Sequence, residues 1–205
     1  MVHFMDESAK RLAQAIGARV KQERGSLGWT LDGLAEAAGI SRRMVVNVEQ
    51  GAVNPSVATL LSLSDALGVG LPALVEPPAE AGAKITRRGD AAVLWNGDLG
   101  GRGVLVAGTE SPDVVELWDW TMEAGESHVS DPHSVGTMEL LNVHSGALIV
   151  VIDEVEHHLG AGDAMTFRGD MPHSYLTEGE TPTHFAMAIY EPGVGIDARP
   201  NKEGH

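Results

Sequence analysis

The stretch WTLDGLAEAAGISRRMVVNVEQG, residues 29–51, reads as two short helices joined by a tight turn. Thr30 carries a hydroxyl of the kind that caps a helix start, and Asp32 puts negative charge in the first turn, where the helix macrodipole favours it. The first helix is expected to run to about Ala38. Gly39 supplies the left-handed residue that stops it, and Ser41 caps a second helix two residues later. In that second helix Val45 and Val48 share a face, against which Leu34, Ala35 and Ile40 can pack, while Arg42, Arg43 and Asn47 lie on another. Arginine can address guanine edges and asparagine adenine edges, so the outward face suits reading of a DNA major groove. Taken alone, the same pattern also suits an ordinary solvated helix face.

Residues 1–7 read as a loose start, and Ser8 to about Arg24 as a first helix with Leu12, Ile16 and Val20 on one side. Beyond residue 51, Gly51–Pro55 is a loop, and Ser56 caps a helix whose Leu60, Leu61 and Leu67 face inward. Gly68 ends that helix, and a short one follows from Leu71 to about Val75. With ARVKQER at 18–24, EQG at 49–51, NPSVATL at 54–60 and ALGV at 66–69, residues from about 9 to 75 resemble the DNA-binding domain of the phage-repressor or XRE class, a five-helix module. The resemblance implies that Arg42, Arg43 and Asn47 read bases and that Ser41 and Asn54 contact phosphates. It also implies an internal ion pair between Arg24 and Glu49. Leu31 stands where that class often has Gln, which removes one expected phosphate contact.

After EPPAEAGAK, at 76–84, rich in Pro, Ala and Gly and without periodicity, the pattern changes. Ala91–Trp95, Gly103–Ala107, Val114–Met122, Met138–His144, Ala147–Ile152, Val155–Leu159, Ala164–Phe167 and His184–Tyr190 are short and rich in Val, Ile, Leu and aromatics. They predict an all-β domain, either a sandwich or a small barrel. The expected organisation is a helix-turn-helix domain over 8–75, a linker over 76–90 and a β domain over 91–195.

GESHVSDPHSVGTMELLNVHSG, at 125–146, and GDAMTFRGDMPHSY, at 162–175, are similar to the two motifs of the cupin family, over about residues 112–192. Gly125, His133, Glu139, Gly146, Gly162 and His173 fit. Asp131 replaces a His, five residues separate His133 from Glu139, and Arg168, Asp170 and Thr177 replace the usual Pro, Gly and Asn. The resemblance implies a double-stranded β-helix, or jelly-roll barrel, with His133, Glu139 and His173 as metal ligands and Asp131 or His128 as a fourth. Two imidazoles and a carboxylate suit Zn, Fe, Ni or Mn. The same side chains also suit a metal-free pocket for a small organic ligand. Trp118, Trp120, Phe167 and Tyr175 can wall such a pocket or serve as core. Trp118 and Trp120 have the same parity, so both face one side. His144, His157 and His158 are placed on outer faces or in a turn.

Residues 1–75 hold seven Lys/Arg against seven Asp/Glu, whereas 76–205 hold seven against twenty-two, so the whole net charge of −15 lies in the second part. Such a chain is no general coat for nucleic acid, although Arg42 and Arg43 can act locally. There is no cysteine, so disulfides, thiolate ligands and thiol nucleophiles are excluded. No secretory leader or membrane span is legible, which predicts a cytoplasmic protein. Together the two resemblances imply a transcriptional regulator, a repressor, that binds an operator in double-stranded DNA as a homodimer and senses a small effector in its cupin domain. The rival is an iron enzyme, since a mononuclear iron epoxidase family of the same domain order uses a His, Glu, His site. A cupin isomerase would leave the first domain without work.

Overall fold

A computed structural model describes residues 2–76 and 83–195, with side chains from Ala9 onward. Residues 77–82, the middle of the expected linker, lie outside the described residues. Two compact units are present: residues 2–76, grouped with 110–112 and 193–195, are helical at their core, and 83–109 with 113–192 form a β unit.

In the helical unit, α1 (Val2–Ser26) starts at the second residue and not at Ser8. Neither Gly nor Pro precedes Gly17, so nothing in residues 2–7 breaks the helix. Ile16 and Val20 are fully buried. α2 (Leu31–Ala37) and α3 (Arg42–Glu49) follow, each with its expected cap: the Thr30 hydroxyl accepts from Gly33 N at 3.0 Å and that of Ser41 from Met44 N at 3.1 Å. Gly39 turns the chain between them at φ 64°. Leu34, Val45 and Val48 are buried, as their spacing requires. α3 lies so close to α1 that a Cβ at Gly17 would come within 2.2 Å of Val48 O, a backbone atom with little room to yield. Ser56 caps α4 (Val57–Leu67), where Leu63 is buried and Leu61 only half-buried, so the inward stripe is Leu60, Leu63 and Leu67. α5 (Leu71–Val75) completes the unit. No described helix is long and apolar enough to cross a membrane.

The β unit holds β1 (Ala92–Asn96), β2 (Arg102–Gly108), β3 (Val114–Met122), β4 (Ser127–Ser130), β5 (Met138–Ser145), β6 (Ala147–Ile152), β7 (Val155–Gly160), β8 (Ala164–Arg168), β9 (His173–Thr177) and β10 (Thr183–Glu191). They pair antiparallel into a six-stranded sheet, β1-β2-β3-β10-β5-β8, and a four-stranded sheet, β4-β9-β6-β7. The expected barrel is thus open: among the described residues no ladder joins one sheet to the other. Alternation sets the two faces. Along β3 the even positions from Val114 to Met122 are buried, and along β10 the odd ones from Thr183 to Glu191. Trp118, Trp120, Phe185 and Met187 from the larger sheet and Leu148, Val150 and Tyr175 from the smaller make the core between them.

Candidate functional site

Two constellations were expected, one in each unit. On α3, Arg42 and Arg43 are exposed and Asn47 is half-buried, opposite the buried valines; Ser41 and Asn54 are exposed as well. Arg43 has its guanidinium at the surface, next to the helix start. Arg42 is engaged: its Nε lies 3.1 Å from Asp32 Oδ1 on α2, in a pair exposed enough to contribute about 0–1 kcal/mol. Ser41 uses its oxygen as a cap acceptor and keeps its hydroxyl proton for another partner. The implied internal pair is present, with Arg24 Nη2 donating to Glu49 Oε2 at 3.0 Å while Nη1 holds Trp29 O at 2.7 Å. Removing one partner of this half-buried pair would leave the other charge uncompensated.

In the β unit, Glu139 of β5 is fully buried, its side chain turned inward between Phe167 and Ile189 on the neighbouring strands. Its Oε1 lies 3.1 Å from His133 Nε2 and 3.1 Å from His173 Nε2. Its Oε2 accepts from the Tyr175 hydroxyl, which lies two residues along β9 from His173 and so on the same face. His133 precedes β5 in a loop. The five residues between it and Glu139 contain a turn in which Thr137 N donates to Ser134 O at 3.1 Å. Asp170 ties that turn down by accepting from Gly136 N at 3.0 Å and from Arg168 Nε at 2.9 Å. The two residues that depart from the cupin pattern there, Arg168 and Asp170, thus anchor the longer loop. Gly169 must lack a side chain, because a Cβ would stand 2.9 Å from Glu139 Oε1 and 3.2 Å from His133 Cδ2.

His173 Nδ1 donates to Met171 O at 2.7 Å, which leaves Nε2 as the atom facing Glu139. Burial pushes the Glu139 carboxyl up, but the two imidazoles outweigh it and hold it at about 2. For His173, burial is outweighed by the Glu139 carboxylate and the value is raised. Burial, and then the Glu139 charge, raise the Tyr175 hydroxyl well above its usual range, so it stays a donor. The ligand atoms of His133, Glu139 and His173 lie within 4.8 Å of one another. Although 3.1 Å apart, Glu139 Oε1 and His173 Nε2 are both buried without a hydrogen bond in acceptable alignment. Buried polar atoms are rarely left so, and two imidazole nitrogens with one carboxylate oxygen are a donor set for a divalent transition metal. The residues fit such an ion.

The suggested fourth ligands do not join them. Asp131 is exposed in the loop after β4, and His128 lies outside the three-residue ligand group. His128 belongs to an aromatic cluster instead. Its ring is 5.1 Å from Trp120 and 5.5 Å from Trp95, and stacks on Tyr175 at 6.2 Å. Burial, with His173 and His133 nearby, lowers its pKa to about 4, so it is neutral at physiological pH. Trp118, Trp120, Phe167 and Tyr175 are all buried, but only Phe167 and Tyr175 pack on the triad; Trp120 lies behind Tyr175, with ring centroids 6.3 Å apart, and Trp118 behind Trp120 at 5.8 Å. Phe167 packs edge-on to His173 at 5.4 Å, and Trp120 stacks on Phe185 at 5.8 Å. Trp118 Nε1 donates to Glu116 Oε2 at 2.8 Å, whereas Trp120 Nε1 is buried without a partner. Trp95, Phe185 and Glu116 were not expected. His144, His157 and His158 are exposed on strands.

Comparison with known proteins matches residues 20–74 to the helix-turn-helix family model, HTH_3, and residues 118–190 to the cupin domain model. The chain is a helix-turn-helix protein with a C-terminal cupin domain. This helix-turn-helix cupin protein is 28% identical over 184 residues to the HTH-type transcriptional regulator SutR of Escherichia coli (strain K12), covering 89% of this chain and 98% of that one. It is 22% identical over 191 residues to the HTH-type transcriptional regulator PuuR of the same organism, covering 83% and 97%. Both relatives are named as regulators and not as enzymes. A crystal structure of an HTH_3 family transcriptional regulator from Vibrio cholerae shares the fold, with a TM-score of 0.69 and 24% identity over 90% of this chain and 99% of that one.

Proposed function

We propose that this protein is a sequence-specific DNA-binding transcriptional regulator, a cytoplasmic repressor that acts as a homodimer and whose cupin domain senses a small molecule. The observation that carries the reading is α3: a capped helix seated by Val45 and Val48, with Arg43 exposed at its start and Arg42 and Asn47 beside it, in a domain that matches the helix-turn-helix family. In such domains the second helix of the pair enters the major groove. Arg43 reads a guanine, Arg42 reaches a base after leaving Asp32, Asn47 addresses adenine, and Ser41 and Asn54 hold phosphates. Selection from a random duplex library tests this. One enriched, near-palindromic motif is expected, with Arg43→Ala costing about 1–3 kcal/mol and relaxing preference at one position, and Asn54→Ala weakening all sequences alike. Failure to enrich any motif at moderate salt would sink the proposal.

The effector site is the interior around Glu139. His133, Glu139 and His173 would hold a divalent metal, which would supply Lewis-acid character to the site. Tyr175 fixes Glu139, the Met171 carbonyl fixes the His173 ring, and Trp118, Trp120 and Phe167 exclude water and shape the ligand's apolar part. A sensor needs no turnover, only a ligand that binds one arrangement of the dimer better than another. The same three ligand atoms also favour a second reading, a metal-dependent oxygenase. Anaerobic Fe(II) titration followed by oxygen exposure separates the two: ligand-dependent oxygen consumption supports the enzyme, and a ligand recovered unchanged after shifting DNA affinity supports the sensor.

A further inference from the structure

Two of the three residues gathered at Glu139 stand on strands that are paired on both sides, Glu139 on β5 and His173 on β9. His133 alone comes from a loop, residues 131–137. That loop has little apolar anchorage of its own, for Pro132 is exposed and Val135, at its tip, is 88% exposed. It is tied instead to the turn after β8. His133 N donates to Gly169 O at 2.9 Å, Gly169 N to Thr137 O at 3.0 Å, and Gly136 N to Asp170 Oδ2 at 3.0 Å. The first two bonds join main chain to main chain, and the third depends on a side chain. The Asp170 side chain is only 4% exposed, whereas its partner Arg168 is 64% exposed. Arg168 grips both carboxylate oxygens, Nε on Oδ1 and Nη2 on Oδ2, each at 2.9 Å. Such a two-pronged pair fixes the plane of the carboxylate, and with it the direction in which Oδ2 meets the Gly136 amide. The segment that holds the loop also lies against the site, since Gly169 has no room for a Cβ beside Glu139 Oε1 and His133 Cδ2.

The geometry points to Asp170 as a positioning residue for a divalent metal: clamped by Arg168, it holds the loop so that His133 Nε2 stands 3.1 Å from Glu139 Oε1, ready to serve as the third ligand. The inference rests on the metal reading of His133, Glu139 and His173. A ligand on a paired strand is in place before an ion arrives. A ligand on a loop must be ordered at the cost of binding free energy unless something orders it beforehand. Asp170 does so without touching the ring, through the Gly136 amide three residues beyond His133. Met171, the next residue, turns the other imidazole by accepting from His173 Nδ1 at 2.7 Å, so the four residues 168–171 govern both nitrogen ligands.

The test is Zn(II) affinity of the full chain, without an affinity tag, by competition with chromophoric chelators of graded strength. Asp170→Ala is expected to weaken Zn(II) binding about tenfold, the lower end of what outer partners of metal ligands typically contribute. Asp170→Asn keeps an acceptor for the Gly136 amide and is expected to restore most of that loss. A double-mutant cycle with His133→Ala separates positioning from general destabilisation: if Asp170 acts through His133, Asp170→Ala costs nothing further once that imidazole is gone. Should Asp170→Ala fail to fold, Arg168→Ala takes its place in the cycle, with a smaller loss in the same direction. An Asp170→Ala chain that binds Zn(II) as tightly as the wild type, an equal loss with and without His133, or no rescue by Asp170→Asn overturns the proposal and leaves the metal reading standing. A wild type that takes up no Zn(II) overturns both.

Discussion

Glu126 is a single carboxylate on which a whole turn depends. It is buried at 6% exposure and accepts from Leu99 N at 2.7 Å, Glu123 N at 2.7 Å and Gly101 N at 3.2 Å, while Gly97 and Gly101 leave room that a Cβ would fill at 2.0 Å from its oxygens. Burial alone would raise its pKa, but the amide donors outweigh that and hold it below the usual carboxylate range. A carboxyl with a lowered folded pKa stabilises the fold above its ordinary value and loses that contribution as pH falls through the folded one. Glu126→Gln is therefore expected to cost about 1–3 kcal/mol at pH 7 and to converge on the wild type only as pH falls through the lowered folded pKa, as read from melting curves across pH. Sequence does not reveal this residue, because two of its three donors lie in a Gly-rich hairpin 27 and 25 positions earlier. The triad was more legible, since His133, Glu139 and His173 each sit in a motif of recognisable spacing. Trp95 and Phe185 escaped notice for the same reason as Glu126: their neighbours are set by strand register, and periodicity records faces but not partners.

Among the elements, α1 and α3 are joined by the Arg24–Glu49 pair and meet backbone to backbone at Gly17. Gly17 gives α3 its seat, since a Cβ there would stand 2.2 Å from Val48 O and 3.0 Å from Glu49 O. Gly17→Ala should favour the helix by propensity and still destabilise the domain, by about 1–3 kcal/mol, as the crowded backbones are forced apart. Denaturant titration of the full chain, followed by helical circular dichroism, measures it; a stabilised variant would show that α3 does not sit where described. The helix-turn-helix could be read almost to the residue because caps and left-handed glycine are local signals. Nothing local in the sequence marks β4 and β9 as strands. SHVS is short and largely polar, and HSYLT follows Pro172 with no apolar run, so only their pairing with each other and with β6 makes them strands. Sequence places the start of α1 too late because Ser8 looks like a cap in a segment that is merely continuous helix.

For the whole molecule, the division of labour has a thermodynamic signature. If an ion or effector bound in the β unit alters operator affinity, operator must alter the affinity of that ion or effector by the same factor. Titrating Zn(II) into the full chain with and without operator duplex, and operator into the full chain with and without Zn(II), is expected to give one shared factor of about 5–150. Two unequal factors, or none in either direction, would leave the metal a structural part and the effector to be sought elsewhere. The charge split points the same way. The net −15 sits in residues 76–205, so long-range attraction to the phosphate backbone is weak and the few cations of α3 must act at short range, which favours chosen sites over bulk DNA.

The hydrogen bond from Tyr175 to Glu139 Oε2 bears on how that carboxylate would meet an ion. With that oxygen already accepting from a hydroxyl too high in pKa to ionise, Oε1 is the oxygen that faces the two imidazoles, and the three side chains would offer an ion two nitrogens and chiefly one oxygen. Calcium, which takes about 6–8 oxygens and favours chelating carboxylates, is poorly served by such a set, and magnesium, which holds its own waters, gains little from imidazole. A phenol that does not itself ligate would thereby favour, for any ion held there, the borderline metals over calcium and magnesium.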